Sequence, residues 1–154
     1  MKTKDIIQSL VGTRKIIVED IAWESDGKDL VIKVHPTKGE QGRCGRCRQK
    51  SPAYDGGRGR RRWRAMDLGS NKVYVEADAP RVRCKDHGVI VAAVPWARHN
   101  SRCCMNFEEQ IAWMVDNTSR SATSELMRVE WHTVDDIYGR VSRNPTKASA
   151  QTGA

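Results

Sequence analysis

Two matched pairs of metal-binding residues constrain the fold of this chain more than any other feature of its sequence. Two residues separate Cys44 from Cys47, and two residues separate Cys84 from His87. Three thiolates and one imidazole complete a tetrahedral zinc site with no open position, which is typical of structural sites. We therefore predict a structural Zn2+ ion whose ligands the intervening strands bring together, as in a zinc ribbon: Cys44, Cys47, Cys84 and His87.

Other interpretations of these residues stay open. Cys44 and Cys47 could be a redox pair, although no thioredoxin-like strand–helix–strand pattern surrounds them. The site could be catalytic, although no acid–base residue pairs with it in a recognisable motif, or the four residues could be unrelated. His99 is a substitute ligand with poorer spacing than His87. The adjacent Cys103 and Cys104 point in different directions, so we predict small apolar residues at a helix start there.

The positive charge of the chain is concentrated in its middle part. The net charge is +8, and residues 43–102 hold fifteen basic and five acidic side chains. Residues 1–42 balance at seven of each, and residues 103–154 hold five basic and seven acidic side chains. A localised basic block is the electrostatic footprint of a polyanion, so we predict double-stranded DNA as the partner. The alternative is a solvated surface that keeps the protein soluble.

A glycine-rich basic run over residues 56–62 is interpreted as a loop that holds phosphates. The planar fork of arginine suits phosphate, and glycines let the backbone approach closely. A flexible solvated loop is the alternative interpretation. The predicted DNA contacts of this stretch and its continuation are Arg58, Arg60, Arg61, Arg62 and Arg64.

Alternating apolar residues predict strands before residue 100. Strands over residues 14–23 and 30–35 make an N-terminal β-hairpin, and a polar connector follows. Further strands or extended segments are predicted over residues 63–68, 72–78, 81–83 and 89–94.

The apolar period becomes helical from residue 106. Asn106 is predicted to cap the first helix, the second spans residues 121–128, and Thr133 is predicted to cap the third. The inward residues of the second helix are predicted to be Ala122, Leu126 and Val129, and those of the third Val134, Ile137, Tyr138 and Val141.

Three short helices with tight connections predict a helix-turn-helix unit. A reading helix presents its N-terminal part to the bases, so the last helix supplies further predicted DNA contacts. A purely structural three-helix bundle is the alternative. The predicted contacts on the exposed side of this helix are His132, Thr133 and Arg140.

These elements predict an α+β chain in four parts. They are an N-terminal β-hairpin segment (1–42), a zinc-ribbon-like basic domain (43–102), a helix-turn-helix (103–142) and a disordered tail (143–154). Aromatic residues make up only 6%, so a large self-sufficient core is not expected and a metal would substitute for it. No stretch has transmembrane length and no signal-peptide core is present, so we expect a cytoplasmic protein without membrane contact.

The motifs resemble, in order, those of transposases of the insertion-sequence family called ISL-three. The resemblance covers roughly residues 10–142, and the zinc pairs and the Arg-Arg-Trp-Arg run are its most specific part. The matching text is Cys44-Gly-Arg-Cys47, Arg61-Arg62-Trp63-Arg64-Ala65-Met66-Asp67, Arg81-Val82-Arg83-Cys84, His87-Gly88, Val94-Pro95-Trp96-Ala97-Arg98-His99 and Glu125-Leu126-Met127.

The resemblance implies a role in recognising the terminal inverted repeats of an insertion sequence, at the bacterial nucleoid. In this family a DDE catalytic domain, whose carboxylates bind two divalent ions, follows the helix-turn-helix. The chain ends soon after its last predicted helix, so we expect no strand-transfer chemistry and no enzyme activity. One alternative is an assembly module that binds full-length transposase or itself, with only incidental DNA contact. The other is an enzyme, for which we find no convincing nucleophile or acid–base pair.

Overall fold

The computed structural model describes residues 1–143 and divides the chain into two compact units. The first unit is Met1–Met105, and the second begins at Asn106. The predicted disordered tail lies outside the described residues from residue 144 onward, whereas Arg143 ends a helix. The four predicted domain ranges stay predictions. Within residues 1–143, no helix combines the length and the apolar character that a membrane crossing requires.

The first unit contains one helix, one 3-10 turn and seven strands, so the α+β prediction is confirmed. The 3-10 turn is Lys38–Glu40. The other elements are α1 Thr3–Val11, β1 Ile16–Trp23, β2 Leu30–Pro36, β3 Ala53–Asp55, β4 Arg60–Leu68, β5 Asn71–Asp78, β6 Arg81–Cys84 and β7 Gly88–Val91.

The predicted N-terminal hairpin is confirmed and forms half of a four-stranded sheet. β1 and β2 are antiparallel, and the strand order is β1-β2-β5-β4. β2 runs parallel to β5, with Leu30 opposite Val73 and Ile32 opposite Val75. Side chains from both strands are fully buried on one face, because alternate residues of paired strands point to the same side. The hairpin segment and the basic middle region therefore share one core.

Helix α1 covers this core and was not predicted. Ile7 and Val11 are buried against the sheet, and Leu10 packs beside them. Leu10 and Val11 follow Ile7 by three and four residues, which is a helical spacing, but the pattern extends over only one short segment. Gly12 ends the helix with a φ of 91°, in the left-handed region that favours glycine.

The glycine-rich run 56–62 is only partly a loop, which corrects the prediction. The turn ends at Gly59, and β4 begins at Arg60. Arg60 pairs with Asp78 of β5 and Arg62 with Glu76. Opposite charges directly across an antiparallel pair stabilise it, and here they extend the strand into the basic run.

A second, three-stranded sheet carries the pair Cys84/His87, and the turn that holds Cys44 and Cys47 lies against it. Its order is β3-β6-β7, with both neighbours antiparallel to β6. Val82 of β6 is buried, and an isolated bridge joins Cys44 to Ala92 just after β7. The predicted extended segments at 81–83 and 89–94 are therefore the strands that bring the first Cys pair to the second.

The second unit consists of the predicted three helices, whose ends and faces differ in detail. They are α2 Met105–Asn117, α3 Arg120–Met127 and α4 Trp131–Arg143. Asn106 and Thr133 lie inside the first turns of α2 and α4 and do not precede them. The predicted apolar stripe of α4 is confirmed for its buried members, Val134, Ile137 and Val141.

The inward face of α3 is not the predicted one. Ala122 and Leu126 are exposed, and Thr123 and Met127 are buried in their place. Thr123 tolerates burial because its hydroxyl donates a hydrogen bond of 2.9 Å to the Ser119 carbonyl. A polar residue therefore occupies a core position that an apolar pattern could not identify.

Replacing Ser119 with alanine is expected to destabilise α3. The Ser119 hydroxyl accepts a hydrogen bond of 3.0 Å from the Ala122 N–H and caps the helix. Loss of such a cap costs about 1 kcal/mol. Amide hydrogen exchange across residues 120–127 should become about fivefold faster in Ser119→Ala. Ser121→Ala, at an exposed position within the first turn of α3, is the matched control and should leave the exchange rates unchanged.

Candidate metal centre and adjoining basic surface

The first Cys pair lies in a tight turn built by backbone hydrogen bonds. The Cys44 N–H donates to the Gln49 carbonyl at 2.9 Å, and the Arg48 N–H donates to the Cys44 carbonyl at 2.9 Å. Arg48 closes the turn with a φ of 62°, in the left-handed region. The Arg46 N–H lies 3.4 Å from the Cys44 sulfur. Backbone N–H groups aimed at a thiolate stabilise its negative charge.

The second pair lies in the hairpin turn between β6 and β7. Cys84 pairs with Gly88, whose φ of 70° makes the reversal. The N–H of Asp86, and after it the ring and N–H of His87, lower the pKa of the Cys84 thiol to about 6 despite its burial. The thiolate that a metal requires is thus the favoured form of Cys84 near neutral pH.

The four predicted ligands converge on one point. Their donor atoms all lie within 4.8 Å of one another, in the sole group of three or more potential metal ligands among residues 1–143. The Cys47 and Cys84 sulfurs are 3.7 Å apart, and the His87 Nδ1 is 3.6 Å from the sulfurs of Cys44 and Cys84. A tetrahedral zinc ion with usual bond lengths requires S···S separations of about 3.8 Å and S···N separations of about 3.6 Å. The residues fit such an ion.

His99 is not in this group, but it lies against the first turn. A side chain at Gly45 would meet the Val91 carbonyl oxygen at 2.5 Å and the His99 Nδ1 at 2.6 Å. Burial is the main reason why the pKa of His99 lies below its usual value, and the charges of Arg46, Arg61 and His87 lower it further. The first turn and the His99 segment therefore form one packed, positively charged corner.

The structure separates the five arginines of the basic run into different environments. Arg60 contacts three carboxylates, the nearest being Glu19 at 3.0 Å. Arg62 lies 2.5 Å from Glu24 and 2.8 Å from Glu76. Because these charges are already neutralised by the protein, neither guanidinium is fully available for a phosphate.

The placement of Arg64 differs most from the prediction. Its side chain is 8% exposed and lies 2.7 Å from Asp67, and its backbone pairs with the segment that holds Arg102 and Cys104. The residue therefore joins β4 to residues 102–104 and is not on a loop surface. Arg58 is exposed in the turn before β4, and Arg61 lies over the Trp63 ring at 5.7 Å from its centroid.

The predicted contacts on α4 are also divided. His132 is exposed and Thr133 is half-buried, near the N-terminus of the helix. Arg140 is not on the exposed side: its guanidinium forms an ion pair with Glu108 of α2, whose carboxylate is fully buried. A buried carboxylate needs a partner, which explains why Arg140 turns inward. The sequence signal that could have identified Glu108 as buried is its position three residues before Ile111, on the apolar face of α2.

Replacing Glu108 with alanine is expected to destabilise the second unit by about 2–3 kcal/mol. The substitution leaves the inward Arg140 without its carboxylate, and the cost is at the low end for buried pairs because Arg140 is partly exposed. Urea denaturation followed by circular dichroism measures the loss. Glu125→Ala, which removes an exposed carboxylate on α3, is the control. An equal effect of both variants would show that the Arg140 pair does not stabilise the helices.

Comparisons with known proteins agree with this arrangement of a metal cluster followed by helices. Residues 40–87 match a family model described as the zinc-finger of transposase IS204/IS1001/IS1096/IS1165. Residues 92–141 match the helix-turn-helix domain of transposase family ISL3. No solved structure matches the chain.

Two curated relatives match nearly the whole chain. Both are named transposase for insertion sequence element IS1557, from Mycobacterium tuberculosis strains CDC 1551 / Oshkosh and ATCC 25618 / H37Rv. Each is 40% identical over 146 residues, which cover 92% of this chain and 33% of the relative. The chain thus spans about a third of the length of the relatives it matches. On these matches, the chain belongs to the ISL3 family of transposases and carries that family's zinc-finger and helix-turn-helix regions.

Proposed function

We propose that this chain is a zinc-dependent DNA-binding module that recognises the terminal inverted repeats of an insertion sequence. The observation that carries the proposal is the convergence of Cys44, Cys47, Cys84 and His87 beside the basic middle region. The two family matches supply the context, because both describe parts of transposases. DNA at the nucleoid is the partner in this proposal.

The ion in the proposal is Zn2+ with a structural role. Three thiolates and one imidazole occupy all four tetrahedral positions, so the ion would hold the two turns together and leave no position for a substrate. Structural zinc contributes about 10–16 kcal/mol in zinc-finger peptides, comparable to the stability of an ordinary domain of about 5–15 kcal/mol. Zinc would thus fix the small β3-β6-β7 sheet, which has few buried side chains of its own.

Recognition is divided between the two units in this proposal. Arg58 and the arginines near the metal turns would contact phosphates, which position a protein without reading sequence. His132 and Thr133 at the start of α4 would supply base contacts, as the N-terminal part of a reading helix does. Strand cleavage and joining are not assigned to these residues.

One zinc ion per chain is the expected metal content. Cys47→Ser should lower the zinc content well below one ion per chain, because it removes a donor from the cluster. Elemental analysis of the purified protein measures the metal, and thermal melting should show a large fall in Tm with a chelator. Cys103→Ala, a buried cysteine outside the cluster, should keep its zinc. Equal zinc content in the two variants would contradict the assigned ligands.

Duplex DNA binding should be zinc-dependent and should weaken steeply with salt. A protein that neutralises several phosphates releases counterions, so the logarithm of the binding constant falls linearly with the logarithm of salt concentration. Fluorescence anisotropy should compare the element's terminal repeat with a scrambled duplex of the same composition, with and without chelator. Tighter binding to the repeat supports the recognition role. Binding that is insensitive to salt or to chelation contradicts the proposal.

An assembly module remains a second candidate because the second unit exposes large apolar side chains. Trp113 and Leu126 are 63% and 67% exposed and line one open groove with Met114. In this alternative the groove binds full-length transposase or a second copy of the chain. Sedimentation measurements of the full chain and of Trp113→Glu separate the two functions: dimers lost in the variant, without salt-sensitive DNA binding in either protein, favour assembly.

A further inference from the structure

Strand β4 presents its arginines to two different surroundings. Arg60 and Arg62 face the carboxylates of Glu19, Glu24 and Glu76. Arg61 lies between them in sequence and points to the other face of the sheet, because alternate residues of a strand do so. There it stacks against Trp63, which is buried. The basic run thus has one face whose arginines are paired with carboxylates and an opposite face on which Arg61 contacts an aromatic ring.

Arg61 lines a solvent-open cleft beside the metal cluster. Other parts of the wall come from the first metal turn and from the segment after β7. The charged and polar side chains around the cleft include Arg48, Arg61, Arg98, His99, Asn100 and Ser101. No aspartate or glutamate is among its lining residues within the described part of the chain. Arg48 and Arg61, from two separate segments, therefore line a cleft whose described lining residues include no acidic side chain.

The charges of Arg48 and Arg61 in this cleft are not neutralised by a salt bridge to any residue that the structure describes. Within residues 1–143, neither Arg48 nor Arg61 forms a salt bridge, in contrast to Arg60 and Arg62 on the same sheet. Arg61 has only its contact with the Trp63 ring, and Arg48 is exposed. The lowered pKa of the adjoining His99 has the same origin in part, since positive charge nearby disfavours a further proton.

The walls of the cleft are held in place by close packing. Gly45 approaches the Val91 carbonyl and the His99 ring so closely that a Cβ atom would overlap both. The Ala93 N–H also donates a hydrogen bond of 2.8 Å to the Arg43 carbonyl, which joins the first turn to the segment after β7. Because Cys44 and Cys47 flank Gly45, a bound metal would fix the position of Arg48 relative to Arg61.

We propose that this cleft, formed by the first metal turn, Arg61 and the Arg98–His99 segment, binds one backbone phosphate of the DNA. The inference rests on the proposed DNA-binding function and names the residues that carry its phosphate contact. The guanidinium groups of Arg48 and Arg61, which form no salt bridge within residues 1–143, suit a phosphate, which accepts paired hydrogen bonds from their planar forks. Arg61 is the central contact, and Arg48 is the second.

Arg61→Gln and Arg62→Gln make a matched pair, since they remove the same charge from adjacent positions of one strand. Arg61→Gln should weaken binding to any duplex about tenfold and reduce the steepness of the salt dependence by about one unit, as expected for one lost phosphate contact. Arg62→Gln should bind with a nearly unchanged salt slope, because Glu24 and Glu76 already neutralise Arg62. Anisotropy titrations at four salt concentrations measure both quantities.

Zinc content and melting temperature establish that both variants fold. Arg48→Gln should show the same reduced salt slope as Arg61→Gln. The double variant should lose little more slope than either single variant, because both arginines contact the same phosphate. If Arg61→Gln and Arg62→Gln have equal affinities and salt slopes while wild-type binding is salt-sensitive, the cleft is not the phosphate site. The proposed DNA-binding function would still stand. A zinc-loaded wild-type chain without salt-sensitive duplex binding overturns both.

Discussion

The first unit depends on one constraint: the two turns that carry the potential metal ligands must place four donor atoms in a tetrahedral arrangement. The pairs Cys44/Cys47 and Cys84/His87 belong to distant parts of the chain, yet their donor atoms lie within 4.8 Å of one another. For this to occur, β6 and β7 must pair, and the segment after β7 must meet Cys44. The same meeting brings the His99 segment against the first turn. Metal geometry and the shape of the basic corner thus have a common origin.

Neutralisation within the protein decides which basic residues remain available to a partner. Residues 43–102 hold fifteen basic side chains, but Arg60 and Arg62 contact carboxylates of the four-stranded sheet and Arg64 is buried. Local counts of charge include all of them equally. Only the fold shows that alternate positions of β4 differ, with Arg61 on the face opposite to the ion pairs. The number of basic residues in a stretch of sequence therefore overestimates the size of the surface that a polyanion can reach.

The metal cluster and the hairpin could be predicted because each has a local or regularly spaced signal. Two-residue spacing identified the cluster, and the apolar pattern of two consecutive segments identified β1 and β2. The parallel pairing of β2 with β5 could not be predicted, since no local pattern states which strands meet. The inward turn of Arg140 depends on Glu108, a residue of another helix. Thr123 was missed because a satisfied hydroxyl can occupy a core position that a hydrophobic pattern assigns to Leu126.

The parallel pairing also has a kinetic consequence during synthesis. β1 and β2 are consecutive in sequence and can pair locally, but the other edge of β2 pairs with residues 71–78, which are made much later. Non-local strand pairing is slow, and an uncovered edge is a template for pairing with another chain. Early capture of the ion cannot shorten this delay, because its last ligand, His87, is made after β5. A newly made chain therefore passes through an aggregation-prone interval that the order of its own elements sets.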